Sequence, residues 1–182
     1  MRTRPALVIA ALALAACRVS TSPRGTTFDN PIGTYQSSMV AVIGVGDGGM
    51  SITPKAIAEG YFVADIKVRV RNTKPNATYL VQRAPEIGRP GSSNGICERA
   101  LSIAPWSATD TPAAAFLTFV PAGGTALATF STSSSGEGML DFEFRAPMIL
   151  KDTRFDVMFR LVDDAIAPTS VILSQCVTVT VI

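Results

Sequence analysis

Histidine does not occur in the 182 residues, and this absence removes more chemistry than any motif adds. Without imidazole there is no Ser-His-Asp or Cys-His nucleophile system and no histidine zinc or copper site. Nor is there a side chain that ordinarily titrates near neutral pH. Catalysis would have to rest on carboxylates, Lys, Tyr or Ser, as in many glycoside hydrolases. Cysteine is scarce at 3 residues and tryptophan occurs once. A sustained 3.6-residue apolar period is missing, which argues against amphipathic helices. The formal charge is only +2, which leaves no basic footprint for nucleic acid. Long apolar runs are also lacking. Residues 6–16 form the one candidate, and about 11 residues are too few to span a hydrocarbon core.

What is present starts with residues 1–17, MRTRPALVIAALALAAC. Arg2 and Arg4 precede the apolar run, small residues end it, and Cys17 follows. Charge, run length and small residues have the form of a secretory signal peptide. Leu14-Ala15-Ala16-Cys17 resembles the lipobox of bacterial lipoproteins. The resemblance implies a diacylglyceryl group on the Cys17 thiol, cleavage after Ala16 and acylation of the new amino group. Such a chain is held at the membrane through its covalent lipid. Arg18 stands where an Asp would resemble an inner-membrane retention signal, so the expected address is the cell envelope at the outer membrane. The alternatives are an ordinary secretory peptide with a chance Cys, or a buried N-terminal helix.

The expected organisation is therefore a signal peptide at 1–16, an acylated Cys17 with a flexible tether to residue 34, and one domain at 35–182. The tether reading rests on a Ser-, Thr-, Pro- and Gly-rich composition that buries little apolar surface. With Arg2 and Arg4 removed, fourteen basic residues face fourteen acidic ones.

Within the domain, residues 39–45 (MVAVIGV) predict a strand buried on both faces. Gly46-Asp47-Gly48-Gly49 predicts a turn, and residues 50–53 a short return strand stopped by Pro54. Gly44 to Gly49 also fits GxGxxG, but a dinucleotide site needs a helix next, and β-branched residues and proline follow instead. Residues 62–72 alternate cleanly. Phe62, Ala64, Ile66, Val68 and Val70 share one face, and Asp65, Lys67, Arg69 and Arg71 the other. Further strands are expected at 78–83, 116–120, 126–132, 139–145, 154–161 and 171–182, with Arg154, Asp156 and Arg160 facing outward. Short strands divided by Gly/Pro turns predict an all-β, antiparallel immunoglobulin-like β-sandwich, with a small β-barrel as the alternative. Residues 129–144, with the Gly136-Glu137-Gly138 turn, resemble secreted bacterial immunoglobulin-like domains. They also resemble copper–zinc superoxide dismutase sandwiches, from which the lack of histidine separates this chain.

Residues 84–114 form a long connection, dense in Pro, Gly and Ser, that holds Trp106 and Cys97. Gly91-Ser92-Ser93-Asn94-Gly95 fits GxSxG but has neither the strand–turn–helix nor a histidine, so Ser93 reads as a loop serine. In an oxidising compartment, Cys97 and Cys176 are expected to pair rather than hold metal. If the alternating valines 177, 179 and 181 face the core, Cys176 faces outward and the bond clamps the connection across that outer face. Arg83, Arg89, Arg99 and Trp106 would then form a candidate interaction surface; alternatively, Trp106 plugs the core edge.

Asp141 and Glu143, two apart on one strand face, have the spacing of paired catalytic carboxylates. A salt-bridged outer face is the simpler reading. Asp47, Asp163 and Asp164 lack the spacing of a calcium loop. No catalytic residue, metal ligand or cofactor is assigned. The expected role is non-catalytic binding or scaffolding at the envelope, with an envelope protein or solute as partner. A solute- or glycan-binding lipoprotein and a histidine-free carboxylate hydrolase are the alternatives.

Overall fold

The structure is a computed structural model that describes residues 33–58, 60–87, 93–98, 116–147 and 149–182. Residues 1–32, on which the expected leader, Cys17 and most of the tether expected to residue 34 fall, lie outside the described residues, as do Arg89, Arg99 and Trp106. Among the described residues there are ten strands: β1 (Tyr35–Ile43), β2 (Asp47–Ala58), β3 (Tyr61–Arg71), β4 (Thr78–Pro85), β5 (Leu117–Thr118), β6 (Thr129–Ser131), β7 (Gly138–Pro147), β8 (Arg154–Val162), β9 (Val171–Ser174) and β10 (Val177–Thr180). They join in one antiparallel sheet in the order β5-β4-β8-β9-β1-β2-β3-β7, with β10 beside β8 and β6 beside β4.

The all-β antiparallel class predicted from the sequence is what the chain adopts. The sheet curls into a half-barrel, so its faces pack across a core as in a sandwich while its hydrogen bonding runs on as in a small barrel. Its two ends approach at a seam, where the Ala122 N–H donates to the Glu143 carbonyl at 2.8 Å. Phe119 fills this seam, with ring centroids 5.3 Å from Phe142 and 5.0 Å from Phe144.

The period-two pattern of β3 sets its register. Phe62, Ala64, Ile66, Val68 and Val70 are buried, and β3 pairs with β2 on one side and β7 on the other. On the outer face this register sets Asp65 directly opposite Glu143, an unfavourable like-charge pair. Lys55 bridges the two, with Nζ 2.7 Å from Asp65 and 3.0 Å from Glu143.

The β1–β2 hairpin corrects three expectations. β2 is not a short return strand but runs twelve residues, straight through Pro54. Pairing with β1 ends at Ile52, so Pro54 sits where β2 has outrun that neighbour, and sheet edges tolerate a missing N–H. The chain turns before Asp47 rather than after it. Gly48 is already in the ladder, where an added Cβ would lie 2.2 Å from the Arg69 carbonyl; close strand approach explains this glycine, not phosphate binding. Finally, β1 is not buried on both faces. Met39 is fully buried, whereas Val40 and Val42 are about 60% exposed, at 59% and 60%, because nothing among the described residues covers the outer face there.

The last predicted strand is divided. β9 and β10 both pair with β8, but the register slips by one between them. In that break the Ser174 hydroxyl accepts the Phe159 N–H at 2.9 Å, and the Ser37 hydroxyl accepts the Gln175 N–H, also at 2.9 Å. Side chains thus replace the missing ladder bonds.

Candidate functional site

Two regions stand out: a covered outer face clasped by the disulfide, and an apolar cavity inside the half-barrel. Cys97 and Cys176 are bonded, with Cα atoms 5.5 Å apart across 79 positions of sequence. Val179 and Val181 are fully buried, so Cys176 projects from the opposite face and draws residues 93–98 over it.

That cover corrects the outward assignment of Asp156. Asp156 is 0% exposed; its carboxylate accepts the Gly95 N–H at 2.8 Å and the Thr178 hydroxyl. Gln82 and Ala84 on neighbouring β4, and Glu86 just after it, are buried as well. Arg160 is held by Gln82 Oε1 at 2.8 Å and lies 4.1 Å from the Phe116 ring centroid. A face that alternation alone marks as wet is therefore an inner layer. Ser93 sits in a turn at the start of the clasped segment and is exposed.

The cavity lies on the other face of the sheet. Tyr79 and Val81 of β4 are fully buried, and strand alternation places Arg83 on their side. Its guanidinium carbon stands 4.7 Å from the Phe119 centroid and 4.5 Å from that of Phe144, within cation–π range. Arg83 lines a small cavity of about 50 Å³, otherwise walled by apolar side chains that include Phe62, Phe155 and Phe159. With Phe144 it also lines a wider open cleft of about 510 Å³ beside Tyr61, the turn at 121–123 and Arg145. Arg83 thus belongs to the interior and the seam. The other members of the expected surface, Arg89, Arg99 and Trp106, fall outside the described residues.

Composition hides this site, but spacing carries a signal for it. In TYLVQRAP, two buried positions at 79 and 81 put 83 on the same face. Nothing in the sequence brings Phe119 and Phe144 to it, since they come from opposite ends of the sheet.

Of the acidic candidates, Asp47, Asp141, Glu143 and Asp163 are held as ion-pair partners, while Asp164 accepts the Ile166 and Ala167 N–H groups. Arg69 donates to both Asp141 oxygens, the longer contact being 3.0 Å, and holds that carboxyl below its usual range. Lys55 and then Arg145 do the same for Glu143. A general acid at neutral pH needs the opposite shift. Asp47 pairs with Arg71 at 2.6 Å and Asp163 with Lys74 at 3.0 Å. Among the described residues no group of three acidic or Cys side chains is placed to hold a metal ion. In comparisons with protein-family models, curated proteins and solved structures, the chain matches none.

Proposed function

We propose that the chain is an exported, non-catalytic binding or scaffolding domain of the bacterial cell envelope, anchored by lipid on Cys17 at the outer membrane. The observation that carries this reading is the bond between Cys97 and Cys176. Structural disulfides persist in oxidising compartments and are rare in the cytosol of mesophiles. Export is also what the leader implies through its resemblance to lipoproteins. The immunoglobulin-like likeness belongs to the same reading, since such domains commonly present binding surfaces on a rigid β framework.

Replacing Cys17 with Ser tests the anchor. The variant should lose processing after Ala16 and disappear from detergent-extracted envelopes. Unchanged processing and membrane retention would overturn the proposal.

A second reading, a solute-binding lipoprotein, is favoured by the cavity around Arg83. Pockets that are mostly apolar with one or two polar groups are the usual form of small-molecule sites. Co-purified solutes would support it over an envelope-protein partner, and envelope cross-linking separates the two.

A further inference from the structure

The curled sheet leaves β5 and β7 facing each other across the seam, and backbone bonding fixes which groups each rim presents. The Phe119 N–H donates to the Val81 carbonyl at 3.0 Å, toward β4. Alternation therefore turns the N–H and C=O of Thr118 and Val120 into the seam. On the other rim the Glu143 carbonyl accepts the Ala122 N–H at 2.8 Å, so β7 turns the backbone of Glu143 and Arg145 the same way. Carried along the two rims, that contact sets Val120 opposite Arg145 and Thr118 opposite Pro147. Among the described residues neither pair is bonded, and Pro147 has no N–H to give. The rims part instead around the open cleft of about 510 Å³, which Thr118, Val120 and Arg145 line and which reaches inward to Phe144.

We propose that this cleft binds an extended peptide segment of a partner protein, which enters as an added strand between β5 and β7. Facing rims of N–H and C=O groups at strand spacing are what a second main chain satisfies. The parted rims suit a segment of about four residues. Its alternate side chains would point inward onto Phe144 and outward beside Tyr61 and Val120, which are 40% and 39% exposed. That environment favours apolar residues at the inward positions, while the main chain supplies most of the affinity. The assignment rests on the binding reading above, with a protein segment rather than a solute as partner, and is independent of the lipid anchor.

The probe is an acetylated, amidated Thr-Val-Thr-Val-Thr peptide, titrated into the full chain and followed through backbone amide shifts. It should bind saturably and move the Thr118, Val120 and Arg145 amides far more than that of Val68. The same peptide N-methylated on both valines keeps its side chains but loses two donors, and should bind at least about tenfold more weakly. Arg145→Pro removes one donor that faces the seam and none that serves the β3 ladder. It should weaken binding about fivefold, whereas Arg145→Ala, which keeps the N–H, should not. A methylated peptide that binds as tightly overturns the proposal whether or not any variant folds, since side chains alone would then carry the contact. So does the absence of saturable binding, because main-chain pairing does not depend on one sequence. An Arg145→Pro variant that folds and binds like Arg145→Ala overturns it as well. Failure of the Cys17→Ser test with peptide binding intact would sink the anchor and leave this site standing.

Discussion

Asp156 on β8 accepts the backbone N–H of Gly95, 61 positions earlier, at 2.8 Å. Together with the Cys97–Cys176 bond it fixes the long connection to the outer face of the sheet at two points. The carboxylate is fully buried, so removing it leaves the Gly95 N–H and the Thr178 hydroxyl without this acceptor. Asp156→Ala should destabilise the fold by about 3 kcal/mol, and Asp156→Asn, which keeps one acceptor oxygen, by about half as much. Urea unfolding measures the difference, and hydrogen exchange at Gly95 should rise in both variants. A loss below about 0.5 kcal/mol for Asp156→Ala would mean that the contact is incidental.

The disulfide makes a separable prediction. A closed loop of 79 residues corresponds to about 4 kcal/mol in the chain-entropy model, an upper figure for real proteins. The Cys97→Ser/Cys176→Ser double variant should therefore unfold at markedly lower urea, and reductant should shift the unaltered protein toward it. If reductant leaves the midpoint of the intact protein in place, the bond does not constrain the unfolded chain as argued.

The sequence made β3 legible because residues 64–71 alternate without interruption, and it made the facing of Cys176 legible through Val179 and Val181. It could not reveal the burial of Asp156, because the cover comes from residues some sixty positions away and not from β8 itself. The same limit explains β1. A continuous apolar run suits burial on both faces, but whether a second layer exists depends on where other segments lie, and Val40 and Val42 are left exposed. Pro54 was misleading for a related reason, since its effect depends on whether a neighbour is present to use the N–H. The seam around Phe119, Phe144 and Arg83 joins three strands distant in sequence, and only the closure of the sheet brings them together.

Asp163 provides a pH test. Burial alone would raise its pKa, but the Thr169 hydroxyl, the Ser170 N–H, the Lys74 ammonium and the Thr169 N–H together hold it far below the usual carboxylate range. Its Oδ1 accepts the Thr169 and Ser170 N–H groups at 2.8 and 2.9 Å, which closes the β8–β9 loop. A folded pKa below the unfolded one means stability that is fully present above the unfolded value, near pH 4, and lost as pH falls toward the folded value. Asp163→Asn should destabilise the protein at pH 7 by about 2 kcal/mol and flatten the decline of stability below about pH 4. Parallel acid limbs for the variant and the unaltered protein would show that other carboxylates govern that decline.

The seam yields the most demanding test of the fold. Phe119 is 1% exposed and stacks on Phe159 at 5.3 Å while meeting Phe142 and Phe144 edge-on. It follows a strand of only two residues, β5, and its N–H donates to the Val81 carbonyl at 3.0 Å, so ring packing adds to sparse backbone bonding in holding the end of the sheet in place. Phe119→Ala should destabilise the domain by about 3–5 kcal/mol, and Phe119→Leu by distinctly less, because most of the buried volume is kept. The effect should also be local. Exchange of the Ala122 N–H, which bridges to Glu143 at 2.8 Å, should accelerate far more than that of Val68 within the β2–β3–β7 ladder. Equal acceleration at both amides would show that the seam opens only with global unfolding, and that the half-barrel behaves as one cooperative unit.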